Sequence, residues 1–175
     1  TRRVVFLGRL SRQKGVDRFC DLADALRARG VSASFDVFGD GEESHIVRQR
    51  GLDWHAAIPW QERGRAFRGA SVLVVPSRAE PFGMVILEAM QHRVPVIYPS
   101  HSGAAEVLKT GIAADPADIG GMAAHVAGLL DSMEAWEAVV RSEAEEIGLY
   151  PDRNWEDRVM AIWQAAATPA TAKLR

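Results

Sequence analysis

The chain reads as an α/β protein, a Rossmann-like, doubly wound parallel sheet of about six strands with extra helices at its C-terminal end. Three observations predict this. Short apolar runs alternate with amphipathic stretches of helical period along most of the 175 residues. Glycines punctuate the turns that follow those runs. The loops after Leu7, Phe38, Ile58, Val75 and Tyr98 all fall on one edge of such a sheet, the carboxyl ends of its strands, where ligands of open α/β sheets bind.

The elements follow in order. Residues 4–7 are a short apolar strand. Residues 15–29 are an amphipathic helix, with Val16, Phe19, Leu22, Ala23 and Leu26 at helical spacing and Gly30 as its stop. Residues 32–38 alternate as a strand, 42–50 make a short helix carrying Ile46 and Val47, 54–58 a weak third strand and 61–68 a helix. Residues 71–75 form an apolar strand of the kind buried on both faces. A helix over 82–92 and a strand over 94–98 come next, then a short helix over 102–109 and an edge strand over 112–114. Helices are expected at 118–132, 133–147 and 154–167, and a frayed tail at 168–175. No repeat, low-complexity tract or linker interrupts the pattern, so residues 1–167 read as one domain.

Composition excludes several classes. Apolar residues at 47% and charged residues at 25% are ordinary for a globular protein. A net charge of −2 argues against general nucleic-acid binding. The lone Cys20 lies on the apolar side of its helix, which forbids an internal disulfide and points to the cytosol. No apolar run reaches the ~18 residues of a membrane span. The chain opens on Thr1 rather than Met and shows no signal peptide, so it is read as an excised domain.

The most informative stretch is Glu80-Pro81-Phe82-Gly83-Met84-Val85-Ile86-Leu87-Glu88, between a strand and a helix. A helix N-terminus offers unpaired N–H groups and partial positive charge, which suit phosphate and hydroxyl oxygens. Pro81 fits a first helical position, and Gly83 admits close approach to the backbone. Glu80 precedes the first turn, and Glu88 is expected to point outward about a turn and a half in. At ~1.5 Å per residue the two carboxylates stand on the order of 10 Å apart, suited to two ends of one polar ligand. Residues 1–16 hold Arg2, Arg3, Arg9, Arg12 and Lys14 and no acid. Arg9 and Lys14 belong to the loop after the first strand, while Arg2, Arg3 and Arg12 are expected to be surface charges. Gly39 and Gly41 serve either a ligand's approach or a tight strand-to-helix turn. His45, His55, His92, His101 and His125 are scattered, with no pair at zinc-ligand spacing, and no metal is expected.

Glu80 to Glu88 resembles the E-x7-E signature of retaining glycosyltransferases of the two-domain B fold, the group 1 or GT4-like type. Gly8-Arg9-Leu10-Ser11-Arg12-Gln13-Lys14-Gly15 is similar to that family's first phosphate loop, and Gly39-Asp40-Gly41 to its second-strand turn. Val94-Pro95-Val96-Ile97 and Ser102-Gly103-Ala104-Ala105-Glu106 follow in the family's order. The resemblance implies the donor-binding, C-terminal half of an enzyme that transfers sugar from a nucleoside-diphosphate sugar. Arg9 and Lys14 would then stabilise the departing diphosphate, with Gly8 in the same loop, and Glu88 would hold the ribose hydroxyls. Glu80 would contact sugar hydroxyls near the reacting carbon. The N–H groups of Phe82, Gly83 and Met84 would meet sugar or distal phosphate, the Phe82 side chain serving either core or ligand. Gly103 and Glu106 match part of a G-G-x-x-E segment or simply start a helix.

No Asp-x-Asp motif of metal-dependent glycosyltransferases occurs, so no cofactor is expected beyond the donor, a UDP- or GDP-type sugar. The implied partner is an absent N-terminal acceptor domain, through which any contact with the inner membrane would be made. The stripe Trp155, Val159, Ile162 and Trp163 would be core, or in an isolated half would drive self-association. The sequence departs from the family at Arg93 and Ser102, where glycine is usual, and near Ala57 and Ile58, where a glycine is missing. A non-catalytic nucleotide-sugar module and a sugar-nucleotide epimerase of the same fold are the rival readings. The epimerase lacks a visible acid/base pair.

Overall fold

The computed structural model describes residues 2–148. The expected helix over 154–167, with Trp155, Val159, Ile162 and Trp163, and the tail over 168–175 lie outside the described residues. Six parallel strands form one sheet: β1 (Arg3–Leu7), β2 (Ser34–Phe38), β3 (Asp53–His55), β4 (Val72–Val74), β5 (Val96–Pro99) and β6 (Ile112–Ala114). Their order is β3-β2-β1-β4-β5-β6, so chain direction across the sheet reverses between β1 and β4. The α/β doubly wound expectation holds.

Both faces of the sheet are covered. Successive side chains of a strand point to opposite faces. Val4, Phe6, Val72 and Val74 accordingly join one apolar cluster, and Val5, Leu73 and Val75 the other. The first face is closed by α1 (Val16–Ala28) and α6 (Ile119–Asp131), which pack on each other. The second takes α4 (Met84–Gln91) and the one-turn α3 (Gly64–Phe67), with α7 (Met133–Gly148) against α4. Each fully buried Leu or Ile in these layers contributes about 1.5–3 kcal/mol. In α1, Val16, Phe19, Cys20, Leu22, Ala23 and Leu26 are buried along one stripe, as the periodicity predicts. Burial pushes the Cys20 thiol up to about 11, which suits a core residue.

Several boundaries differ from the sequence reading for local reasons. The helix expected over 61–68 is a 3-10 turn, Trp60–Glu62, followed by α3. Only Ala66 and Phe67 are buried there, too little apolar stripe to carry a longer helix. The helix expected from Phe82 begins at Met84, because Gly83 at φ 93° ends the extended turn, so Pro81 is not a first helical residue. Arg3 is no surface charge. Its guanidinium pairs with Asp36 at 3.0 Å, and His55 reaches the same carboxylate at 2.8 Å while stacking on Phe38. Burial alone would raise the Asp36 carboxyl, but hydrogen bonds from Arg3 and His55 outweigh it and leave it lowered. Short helices complete the fold: α2 (Ser44–Gln49) follows β2 and α5 (Gly103–Val107) follows β5.

Arg93, where the resembling family has glycine, sits at φ 57°. It ends α4 in a Schellman closure, with Arg93 N–H bonded to Met90 O at 3.0 Å and Val94 N–H to Ala89 O at 3.0 Å. A side chain in this left-handed conformation is strained. Arg93→Gly is expected to raise stability by roughly 0.5–1 kcal/mol and the thermal midpoint with it; an unchanged or lower midpoint contradicts the strain.

Helix α7 is tied to the sheet by carboxylates. Glu143, fully buried, accepts the Val96 N–H at 3.1 Å, and Glu146 accepts the Lys109 and Thr110 N–H groups at 2.8 and 3.0 Å. Glu143 Oε2 is buried with no partner among the described residues, a costly place for an ionised oxygen. Burial pushes Glu143 up to about 8 from the ordinary carboxylate value. A raised folded-state value means the native state holds its proton longer than the unfolded chain. This stabilising term is fully present below the unfolded value and is lost as pH climbs towards 8. Stability is expected to fall with a slope of up to ~1.4 kcal/mol per pH unit between about 5 and 8. Glu143→Gln should remove that slope in denaturant titrations; parallel profiles for both proteins would refute the assignment.

Candidate functional site

The carboxyl ends of β1 and β4 lie side by side where strand order reverses, and a cleft of about 600 Å³ opens between their loops. That volume lies in the range of small-molecule sites. Its walls include Gly8, Arg9, Lys14, Ser77, Glu80, Phe82, Gly83 and Met84, together with Arg63.

The two loops are joined tightly. Gly15 caps α1 at φ 75°, and a Cβ there would lie 2.0 Å from the Pro76 carbonyl oxygen. Only glycine allows this approach. Arg78 completes the seam. Its N–H donates to Gln13 O at 2.8 Å, and its guanidinium grips Asp17 through two 2.6 Å bonds while also donating to Arg12 O. That hydrogen bonding holds the Asp17 carboxyl below its usual value.

Across the seam Lys14 Nζ reaches Glu80 Oε2 at 2.7 Å, and Ser77 Oγ donates to the same oxygen at 3.0 Å. Glu80 is buried; Lys14 keeps a third of its side chain accessible. Arg9 is exposed, with no partner among the described residues. Gly83 presents the start of α4 to the cleft, where the first helical N–H groups lack intrahelical acceptors. A Cβ on Gly83 would fall 2.6 Å from Ile86 Cδ1. The Pro81 carbonyl is held by Gly103 N–H at 2.9 Å, an approach that a Cβ on Gly103, 2.2 Å from that oxygen, would block. Ser102, in place of a family glycine, is the N-cap of α5 and accepts the Ala105 N–H.

The other expected residues are distributed differently. Glu88 does not project from α4; it is 6% exposed, and its Oε1 takes a 2.8 Å bond from Arg63 Nη1. Gly39 and Gly41 serve backbone packing. A Cβ on Gly39 would meet Gly8 O at 1.9 Å, and one on Gly41 would meet Leu10 O at 2.3 Å. Gly39 also lines a side hollow of about 250 Å³ with Gly8, Arg9, Ile58 and Arg63. Gly41 lines neither space.

Sequence reasoning missed Arg63, Ser77 and Arg78. Ser77 carries a usable signal, a hydroxyl three residues before Glu80 in a turn. Arg63 carries none, since its one-turn helix has no pattern, and its value comes from its neighbours in space.

The chain belongs to the group 1 glycosyltransferases: the model of that family, "Glycosyl transferases group 1", matches residues 1–132. Among curated relatives it is 30% identical over 152 residues to the alpha-D-kanosaminyltransferase of Streptomyces kanamyceticus, covering 81% of this chain and 39% of that protein. It is 27% identical over 172 residues to the glycogen synthase of Mycobacterium tuberculosis, covering 92% and 41%. The chain thus spans about two fifths of the length of these relatives. The fold is that of the C-terminal domain of a Francisella tularensis group 1 glycosyl transferase, LpcC, at TM-score 0.73 and 20% identity over 85% of each chain. Anabaena HepE in complex with UDP is equally similar, at TM-score 0.73 and 20% identity over 94% of this chain and 48% of that one.

The seam at Gly15 can be tested against Gly30, which has a similar φ of 74° but nothing within 4 Å of an added Cβ. Gly30→Ala is expected to cost about 1 kcal/mol, the left-handed strain alone. Gly15→Ala should cost at least ~2 kcal/mol more, because the Pro76 carbonyl must move. Equal losses in chemical denaturation would remove the close approach as a constraint.

Proposed function

We propose that this chain is the donor-binding domain of a retaining, metal-independent glycosyltransferase, and that it transfers a sugar from a nucleoside-diphosphate sugar together with an N-terminal acceptor domain. Residues 1–167 form the donor domain in this reading. The observation that carries it is the meeting of Arg9, Lys14 and the N-terminus of α4 in one cleft at the switch point. Family membership and the UDP-bound HepE neighbour support it. Among the described residues no helix is long and apolar enough to cross a membrane.

Each residue then has a task. The diphosphate gains charge as the glycosidic bond breaks, and Arg9 and Lys14 stabilise that charge more in the transition state than before it. The amides of Gly83 and Met84 add donors without reorganising. Glu80, held by Ser77 and Lys14, accepts sugar hydroxyls beside the reacting carbon and keeps the ammonium in place. Glu88, buried and bonded to Arg63, would accept the ribose hydroxyls once that bond opens. The lone chain supplies one wall of the site, so it binds nucleotide weakly and turns over little.

Calorimetric titration with UDP, GDP and ADP is the test. One of them is expected to bind in the micromolar to millimolar range, unaffected by EDTA; no binding by any at millimolar concentration refutes the reading. Lys14→Ala should weaken the diphosphate by about tenfold or more, the scale of a charge-assisted contact, and leave the free nucleoside nearly unchanged. Equal losses for both would remove Lys14 from the phosphate site.

A further inference from the structure

Gly103 lines neither the cleft nor the side hollow, yet it holds the cleft wall from behind. Its N–H donates to Pro81 O at 2.9 Å, and Pro81, Phe82 and Gly83 all line the cleft. The Pro81–Phe82 peptide is planar and trans, so its carbonyl and its N–H point in opposite directions. With the carbonyl held by Gly103, the Phe82 N–H is turned away from α5. That N–H and the N–H of Gly83 donate to no acceptor among the described residues. Gly83 is buried, and a buried backbone donor without a partner is rare in a folded chain.

The grip of Gly103 is itself anchored to the sheet. Ser102, fully buried, bonds Pro99 O at the end of β5 through its N–H at 3.0 Å and through its Oγ at 2.7 Å. A path of fixed bonds therefore runs from the sheet through Ser102 and Gly103 to the Pro81 carbonyl, and across one peptide plane to the Phe82 N–H. Gly103 opens α5 without a positive φ, so alanine would be the better helix former there. What opposes alanine is the contact: an added Cβ would lie 2.2 Å from Pro81 O and 3.6 Å from Phe82 Cα. The carbonyl would have to retreat by about 1 Å to reach ordinary contact. A displacement of that size is enough to spoil a binding geometry.

We propose that Gly103 is a positioning residue for the donor site: through the Pro81 carbonyl it aims the Phe82 N–H, and the amides that follow it, at the donor's oxygens beyond the nucleoside monophosphate. The proposal rests on the donor-binding reading above. It gives the glycine that opens α5 a task that starting a helix does not require.

The experiment compares the wild-type chain with Gly103→Ala and with Gly30→Ala, which strains the backbone away from the cleft. The ligands are whichever of UDP, GDP or ADP binds the wild type, its monophosphate and its glucose-bearing sugar nucleotide. Gly103→Ala is expected to lose about tenfold or more in affinity for the diphosphate or the sugar nucleotide, while the monophosphate changes by less than about threefold. A loss already present on the diphosphate places the N–H groups on the distal phosphate, and a loss confined to the sugar nucleotide places them on sugar hydroxyls; both support the proposal. Gly30→Ala should leave all three affinities unchanged. An equal loss on the monophosphate, or the same split in Gly30→Ala, would make the effect one of general stability and overturn the proposal. Should Gly103→Ala fail to fold, the wild-type amide resonances decide. Those of Phe82 and Gly103 are expected to move together on titration with the diphosphate or the sugar nucleotide and to stay in place with the monophosphate; equal movement with the monophosphate overturns the proposal. Absence of binding by all three diphosphates to the wild type refutes the donor reading itself. Wild-type binding with unchanged affinity ratios in Gly103→Ala refutes only the role of Gly103.

Discussion

The site depends on how closely two loops can pass at the switch point of the sheet. The chain leaving β1 and the chain leaving β4 diverge to opposite halves of the domain, yet Lys14 and Glu80 must end 2.7 Å apart. Gly15 makes that possible by having no Cβ where the Pro76 carbonyl passes. Arg78 then locks the approach, because its guanidinium spans Asp17 on α1 and the Arg12 carbonyl in the loop. A parallel sheet alone provides only a crevice. The seam turns it into a place where charged groups have fixed positions, and fixed positions are what electrostatic stabilisation requires.

Charge is managed pairwise around this edge. Asp36 has Arg3 and His55, Glu80 has Lys14 and Ser77, and Glu88 has Arg63. Each carboxylate is buried, and each would destabilise the fold if left alone. Arg9 differs, standing exposed at the cleft with no partner among the described residues. The cleft therefore carries an excess of positive charge that rests on Arg9, while the ammonium of Lys14 is already oriented by its carboxylate. An anion entering it meets one cation whose position is set and another whose stem is free to adjust.

How much of this was legible follows the range of the forces involved. Strand and helix order was plain from periodicity, because both faces of the sheet must be apolar and the helices amphipathic. Val16 to Leu26 are the clearest instance. The meeting of Arg9, Lys14 and the Gly83 turn followed from loop order along one sheet edge. Side-chain direction did not. Five successive residues of α4, Ile86 to Met90, are buried, so the helix has no outward face on which Glu88 could project. Local pattern could not show this, because it depends on α7 and on the loop that carries Arg63. Gly39 and Gly41 looked equally suited to a ligand or a turn. Only the carbonyls of Gly8 and Leu10, brought close by the pairing of β1 with β2, show that packing by itself already requires glycine at both.

The burial of α4 also explains why the ligand edge and the fold cannot be separated here. A helix apolar on nearly every side tolerates a carboxylate only if a neighbouring element brings the counter-charge. That element is the segment from Trp60 to Phe67, which has little apolar surface of its own: among its residues only Ala66 and Phe67 are buried. It is held to the body partly by those two side chains and partly by the Arg63–Glu88 bond. Removing Arg63 would therefore take away both a counter-charge of Glu88 and one of the contacts that anchor the segment, so the position of the segment and the packing of α4 rest on one shared bond.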